Sequence, residues 1–301
     1  IKMSGEDLET APQGTKYPQT GSPLQAAQAV ELAVTDDRER KLLMRSVLQW
    51  LPEIDLDAPP PVTAQMIHRR LRDILPGKDP YREAKDRQNN LARRLIPAIR
   101  RRISECSDPL MMAMRYAITG NIIDLGAKNN LGFGDVYAEL QSAPLQPVFG
   151  DPEAFKEAVQ KARNILYLAD NAGEIFFDRL LIERLGAAKI TLAVRGRPVI
   201  NDATLPDALA AGLDELAVIV DNGSDAPGTI LADCSAEFRG FFDRADMIIA
   251  KGQGNYESLT GVNRPIFFLF RTKCGVISRH SGYPVGTYVA APGRGYAKAG
   301  G

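Results

Sequence analysis

The chain is poor in the residues that build several common kinds of site. Histidine occurs only at His68 and His280, and tryptophan once, in 301 residues. A histidine-rich zinc centre and a Ser-His-Asp triad are therefore both disfavoured. The three cysteines, Cys106, Cys234 and Cys274, are odd in number and far apart. That spacing argues against a disulfide framework and points to a reducing compartment, with the cytoplasm as the expected location. Net charge is absent too: 37 basic residues balance 37 acidic ones. No global field then favours nucleic acid or acidic membranes, and neither is expected as a partner. No apolar run approaches the roughly 20 residues that span a bilayer, and the first residues lack the order of a signal peptide. There is no G-x-x-x-x-G-K-[ST] and no G-x-S-x-G. In Lys251-Gly-Gln-Gly-Asn-Tyr-Glu257, Glu257 stands where a dinucleotide fingerprint needs its third glycine.

What is present is the balance of a globular protein, 45% hydrophobic and 25% charged, long enough for one large domain or two ordinary ones. Residues 1–23, rich in Gly, Pro, Thr and charge, read as a poorly ordered leader. Residues 24–150 read as a helical subdomain. Leu24, Ala27, Val30 and Val34 recur at helical spacing, as do Leu43, Val47 and Leu51. After a proline-rich break, Thr63 is the expected N-cap of a helix carrying Ile67, Leu71 and Ile74. Asp79-Pro80-Tyr81 opens another, which Pro97 is expected to kink or divide. Asp108-Pro109 opens a third, whose Met111, Met112 and Met114 suit core filling better than ligation. Residues 127–150 read as a connecting loop with a short helix.

Residues 151–301 change pattern. Short apolar strands at Ile165–Ala169, Ile190–Val194, Leu216–Val220, Met247–Ala250 and Ile266–Phe270 alternate with helical segments near 175–186, 204–212, 229–243 and 255–260. Such alternation predicts an α/β domain, a mainly parallel sheet with helices on both faces.

The chemistry collects where these strands end. The first closes in Asp170-Asn-Ala-Gly-Glu174, the second in Arg195-Gly-Arg-Pro-Val-Ile-Asn-Asp202, and the third in Asp221-Asn-Gly-Ser-Asp-Ala-Pro-Gly228. Lys251-Gly-Gln-Gly-Asn255 and Arg271-Thr-Lys-Cys274 follow the last two. In a parallel sheet all these loops emerge at one edge. Asp170, Asn171 and Asp202 are oxygen donors suited to one divalent cation that keeps several waters. The alternative for Asp170 or Asn171 is a plain helix cap. Backbone N–H groups at Gly252 and Gly254 can approach an anion closely, with Asn255 opening a helix, and Lys251 and Lys273 can meet phosphate as point charges. A cation and lysines around an anion nest suit phosphoryl transfer. The plain alternative is glycines that only make turns and lysines that are solvated.

Taken in order, Asp170-Asn-Ala-Gly-Glu174, Arg195-x-x-Pro-x-x-Asn-Asp202 and Lys251-Gly-Gln-Gly-Asn-Tyr-Glu257 resemble the metal-dependent damage-control phosphatases, a family once classed as a domain of unknown function. Asp79-Pro-Tyr with Lys85 and Asn89, Asp108-Pro-Leu, Gly120-Asn-Ile-Ile-Asp124 and Asp225-Ala-Pro-Gly228 extend the resemblance over roughly residues 24–290. The Lys273-Cys274 pair is most like the stand-alone prokaryotic branch. Members of that branch commonly carry a Cys-x-x-Cys pair near the N-terminus; here Gln19, Ser22 and Pro23 stand instead. The resemblance implies a Rossmann-like domain beneath a helical region and hydrolysis of small phosphomonoesters, such as sugar phosphates or damaged phosphometabolites. It implies a divalent ion (Mn, Mg, Co or Ni) on Asp170, Asn171 and Asp202. It also implies phosphate or substrate binding by Lys251, Gly252, Gln253, Gly254, Asn255 and Lys273, with Asn121 and Glu174 lining the site. The expected partner is a small phosphorylated metabolite. The alternative is an S-adenosylmethionine-dependent methyltransferase, or another nucleotide-binding enzyme, using the same rim. A non-catalytic metabolite sensor would need no metal trio.

Overall fold

The computed structural model describes residues 26–296 apart from residues 28, 32–33, 35, 56–57, 76–78, 124–132 and 187–188. The leader expected over residues 1–23 lies outside the described residues. Helices α1 (Asp37–Trp50), α2 (Pro60–Ile74), α3 (Arg82–Glu105), α4 (Pro109–Thr119) and α5 (Phe133–Ser142) come first. Then follow β1 (Val148–Gly150), α6 (Pro152–Lys161), β2 (Ile165–Leu168), α7 (Ile175–Leu185), β3 (Ile190–Val194), α8 (Leu205–Ala210) and β4 (Val218–Asp221). The chain continues through α9 (Ala236–Arg244), β5 (Met247–Lys251), α10 (Gly252–Leu259), β6 (Ile266–Arg271), α11 (Gly275–Ser281) and β7 (Tyr288–Pro292). Among the described residues no helix is long and apolar enough to cross a membrane.

Local chemistry starts the helices as the sequence implied, with exceptions. Asp108 and Asp151 cap α4 and α6, accepting from the N–H of Met111 and of Ala154, with proline following each cap. Thr63 does not cap α2. That helix begins one turn earlier at Pro60, because proline suits the first helical position, and Thr63 is buried inside the first turn. Pro97 does not divide α3, which runs unbroken past it with the ring at the exposed surface. Residues 229–235 are not helical, with a turn at 231–233, and α9 starts only where Ser235 accepts from Phe238 N–H.

The sheet has seven strands in the order β1-β7-β6-β5-β2-β3-β4. The five from β6 to β4 are mutually parallel, while β7 runs antiparallel to β6 and carries β1 parallel to itself. From β2 the chain proceeds outward to β3; from β5, the neighbour on the other side, it proceeds outward to β6. Connections leaving two adjacent strands in opposite directions open a crevice at the strands' carboxyl ends. That switch point lies between Asp170 and Lys251.

One face of the sheet shares a continuous core with α3, α4 and α7, running from Ala92 to Ala290. Phe238, Phe242, Tyr256 and Ile277, from α9, α10 and α11, cover the other face. The helices from Arg82 onward are thus a layer of the sheet domain, whereas Ala26, Val47, Ile67, Leu71 and Tyr81 form a small cluster of their own. Gly120 lets α4 and α7 close up, since a Cβ there would meet the Phe177 ring at 2.9 Å.

Candidate functional site

Two loops are stitched together at the switch point by their backbones. Ala203 N–H donates to Asp170 O and Ala172 N–H to Asn201 O, both at 2.8 Å, so Asn171 and Asp202 form an isolated antiparallel bridge. This pairing sets Asp170, Asn171 and Asp202 side by side although the second and third lie 31 positions apart in the chain. All three are buried. Asn89 ties the same loops from above, accepting from Gly173 N–H at 2.7 Å and donating to Asp207 Oδ1 at 2.9 Å.

The charges around Asp170 are unbalanced. Burial pushes its carboxyl well above the usual range, and the neighbouring carboxylates of Glu174 and Asp202 push it further. The positive charges of Lys273 and Arg195 pull the other way without cancelling the rise. Asp202 Oδ2 accepts from Arg195 Nε at 2.7 Å. Arg195 also reaches Thr229 Oγ1 at 3.5 Å and Asn255 Oδ1 at 3.3 Å.

Glu174 organises the amides. Its Oε2 accepts from Asn121 Nδ2 at 2.8 Å and from Asn171 Nδ2 at 3.1 Å, and Asn171 Nδ2 also donates to Asp170 Oδ2 at 2.7 Å. With Asn171's nitrogen committed to both carboxylates, its carbonyl oxygen is turned away from them. Asn121 Oδ1 is buried with no hydrogen-bond partner.

The expectation that Lys251 meets phosphate directly does not match its position. Its side chain is fully buried, and Nζ donates to Ala117 O at 2.9 Å, Glu174 Oε1 at 2.7 Å and Asp178 Oδ1 at 2.6 Å. An ammonium has three donors, and all three are used inside the protein. Against the opposing pull of burial, Asp178 and Glu174 hold it protonated. Asp178 in turn accepts from Tyr167 OH at 2.7 Å. Neither Asp178 nor Tyr167 stood out in the sequence. The available signal was spacing, since Asp178 follows Glu174 by four residues and so shares its side of the helix.

The Gly-rich loop closes the floor. Gly252 has φ +77°, and a Cβ there would collide with the Asp170 carboxylate. Gln253 Oε1 accepts from Lys273 N–H at 2.6 Å, which fastens the two phosphate-loop candidates to each other. Asn255 is fully buried and structural: its Nδ2 donates to Ala169 O at 3.2 Å and Lys251 O at 2.8 Å, joining the ends of β2 and β5. Gly254 packs its carbonyl against Gly228 and accepts from Ser258 Oγ at 2.7 Å. The predicted residues thus converge, while Lys251 and Asn255 hold the site together from beneath.

Comparison with known proteins places the chain among relatives. Residues 23–289 match the profile of the damage-control phosphatase ARMT1-like domain. A damage-control phosphatase of Archaeoglobus fulgidus is 38% identical over 233 residues, 75% of this chain and 80% of that protein. One from Pyrococcus horikoshii is 34% identical over 273 residues, 88% of this chain and 93% of that one. An uncharacterized protein of Methanocaldococcus jannaschii is 34% identical over 277 residues, 88% and 90% of the respective chains. The fold matches a crystal structure of a DUF89 family protein from Pyrococcus horikoshii with a TM-score of 0.81 at 32% identity, covering 91% of this chain and 97% of that one. The chain belongs to the ARMT1-like damage-control phosphatase family.

Proposed function

We propose that this chain is a metal-dependent phosphatase of small phosphomonoesters, with a divalent cation held by Asp170, Asn171 and Asp202. Family membership supports phosphatase activity. The observation that carries the metal reading is the Asn171–Asp202 bridge, which sets the buried carboxylates of Asp170 and Asp202 beside the Asn171 amide. A cation at this point offsets both the burial and the repulsion. Among the described residues no group of three or more His, Cys, Asp or Glu side chains is arranged to hold a metal ion. The proposed donor set is therefore two carboxylates and one amide carbonyl, completed by water, as a hard cation accepts. Asn171 fits it because its nitrogen is held by Asp170 and Glu174, leaving the carbonyl oxygen for the ion.

Bound there, the cation supplies Lewis-acid polarisation of a phosphoryl oxygen. The protein's own groups do the rest. The N–H groups opening α10, with Lys273, hold the remaining phosphoryl oxygens. Glu174 and Lys251 fix the amides, and burial keeps bulk water from screening these interactions. An adenosine or dinucleotide cofactor fits this rim less well. Close approach of a pyrophosphate after the first strand of the switch point calls for glycines, and here that strand ends in the Asp170 carboxylate.

The test is phosphate release from a panel of phosphometabolites by chelated protein, before and after adding Mn²⁺, Mg²⁺, Co²⁺ or Ni²⁺. Release should vanish on chelation and return with metal. Full activity after exhaustive chelation would remove the metal from the mechanism.

A further inference from the structure

The loops that carry Asp170, Asn171 and Asp202 are gripped a second time, from the helical layer. Arg82, Lys85 and Asn89 of α3 stand at i, i+3 and i+7, so they share one side of that helix. All three converge on one buried carboxylate, Asp207, in the first turn of α8. Asp207 Oδ1 accepts from Asn89 Nδ2 at 2.9 Å and from Arg82 at 3.0 Å. Its Oδ2 lies 2.8 Å from the fully buried Lys85 Nζ, and accepts from Thr204 N–H at 2.9 Å and Thr204 Oγ1 at 2.7 Å. Burial opposes the charge, yet Lys85 and these hydrogen bonds bring the carboxyl down to about 2, so it stays ionised at ordinary pH.

More donors meet here than a helix cap requires. Thr204 alone completes the start of α8. The other three reach across from α3, and Lys85 and Asn89 belong to a family segment that the chemistry proposed at Asp170 leaves without a task. Asn89 joins both loops with one side chain: its Oδ1 accepts from Gly173 N–H at 2.7 Å while its Nδ2 holds Asp207. Gly173 is what lets α3 come this close, since it has φ +72° and a Cβ there would meet Gln88 Cβ at 3.0 Å. Gly173 lies two positions past Asn171, and Thr204 two positions past Asp202. Thr204 also bridges Arg195, whose Nε holds Asp202. The run Gly173–Asn89–Asp207–Thr204 is therefore a bracket around the Asn171–Asp202 bridge.

We infer that Asn89 and Asp207 are positioning residues: they hold the two loops in register and so fix the spacing of Asp170, Asn171 and Asp202. That this spacing serves a cation rests on the metal reading above. The backbone bridge contributes one bond from Ala172 N–H and one from Ala203 N–H. Two such bonds, each of modest net worth, hold a register weakly without a further tie. A small divalent ion demands a fixed ligand geometry, so a slip of either loop reaches its affinity.

The experiment compares the wild type with Asn89→Leu, Asp207→Asn, the double variant and Asp246→Ala. Asp246 is the control, because it ties backbone at the opposite end of β2, accepting from the N–H groups of Arg163 and Asn164. Two readouts are taken well below every melting temperature: NMR hydrogen exchange of the Ala172 and Ala203 amides in metal-free protein, and calorimetric Mn²⁺ affinity. Asn89→Leu should speed both amides roughly tenfold, the scale of one lost hydrogen bond, while amides in the middle of β2 keep their protection. Its Mn²⁺ affinity should fall about 10- to 100-fold, as for other lost outer-shell partners. Asp207→Asn should act in the same direction, and the double variant should lose less than the two singles added together, since both belong to one bracket. Asp246→Ala should melt lower and leave both readouts at wild-type values. Wild-type Mn²⁺ affinity in Asn89→Leu, or equal losses in Asp246→Ala, would overturn the inference. If the wild type binds no Mn²⁺, the amides decide alone: faster exchange in Asn89→Leu leaves the bracket standing while the metal reading fails, and unchanged exchange sinks both. Should Asn89→Leu not fold, Asp207→Asn carries the same two readouts.

Discussion

Lys251 Nζ sits 2.7 Å from Glu174 Oε1, while the other oxygen of that carboxylate, Oε2, accepts from Asn171 Nδ2 at 3.1 Å. These contacts form a chain that ends at the proposed cation site. Tyr167 steadies Asp178, and Asp178 and Glu174 hold Lys251. Glu174 in turn holds the Asn171 amide nitrogen, which leaves its carbonyl for the proposed cation.

Lys251→Met should therefore act on both stability and metal. It leaves two buried carboxylates without their cation, and breaking such a pair costs about 3–5 kcal/mol. With the amide no longer oriented, affinity for Mn²⁺ should fall about 10- to 100-fold, as for other lost outer-shell partners. Denaturant melts and calorimetric Mn²⁺ titration check the two separately. A Lys251→Met protein with wild-type Mn²⁺ affinity would return the lysine to a purely structural role.

Gly252→Ala should be disproportionately harmful. The left-handed φ costs an L-residue roughly 1–2 kcal/mol, and the new methyl would be driven into the Asp170 carboxylate. Expected are a lower melting temperature and activity reduced well beyond that of Gly261→Ala, where a Cβ meets nothing within 4 Å. Equal behaviour of the two variants would contradict the close approach.

Acid stability should carry the signature of His68. Burial first, then Arg72, lowers its pKa from 6.5 to about 4, with Asp225 opposing. The unfolded chain then binds the proton more readily than the folded one between these values. This contribution is present above pH 6.5 and is lost as pH falls through about 4, an effect on the order of 3 kcal/mol. His68→Phe should flatten the fall in stability between pH 6.5 and 4, read from urea midpoints across that range. A curve as steep as wild type would show that other groups control acid unfolding.

Much of this was legible in the chain because it rests on local pattern. The apolar runs at Ile165 and Met247 announced buried parallel strands, and Asp108 and Asp151 announced helix starts. Two strands at one end of the sheet were less visible. Val148–Gly150, at the edge, has only three residues, and Tyr288–Pro292, between it and β6, ends in a proline, which the end of a strand tolerates but a pattern search penalises. Strand β4 begins two residues later than its apolar run suggested, because Leu216 and Ala217 close a turn and the strand itself lies at the sheet edge. The convergence of Asp170, Asn171 and Asp202 followed from topology, since strand-end loops share one rim. The inward aim of Lys251 was hidden for the opposite reason. Its acceptors come from residues 117, 174 and 178, and nothing local distinguishes a lysine aimed at ligand from one aimed inward.

Asp170→Asn tests the central claim most directly. Asparagine caps a helix about as well as aspartate, so a structural Asp170 should tolerate the change. A cation ligand should not, because the substitution removes the anionic oxygen while keeping the shape. Mn²⁺-saturated turnover should fall roughly a thousandfold, equivalent to about 4 kcal/mol of transition-state stabilisation. The metal-free variant should melt at or above the wild type, since the repulsion from Glu174 and Asp202 that raises this carboxyl is relieved, and Mn²⁺ should no longer raise its melting temperature. A folded Asp170→Asn protein with near-normal turnover and an undiminished Mn²⁺ shift would contradict the account.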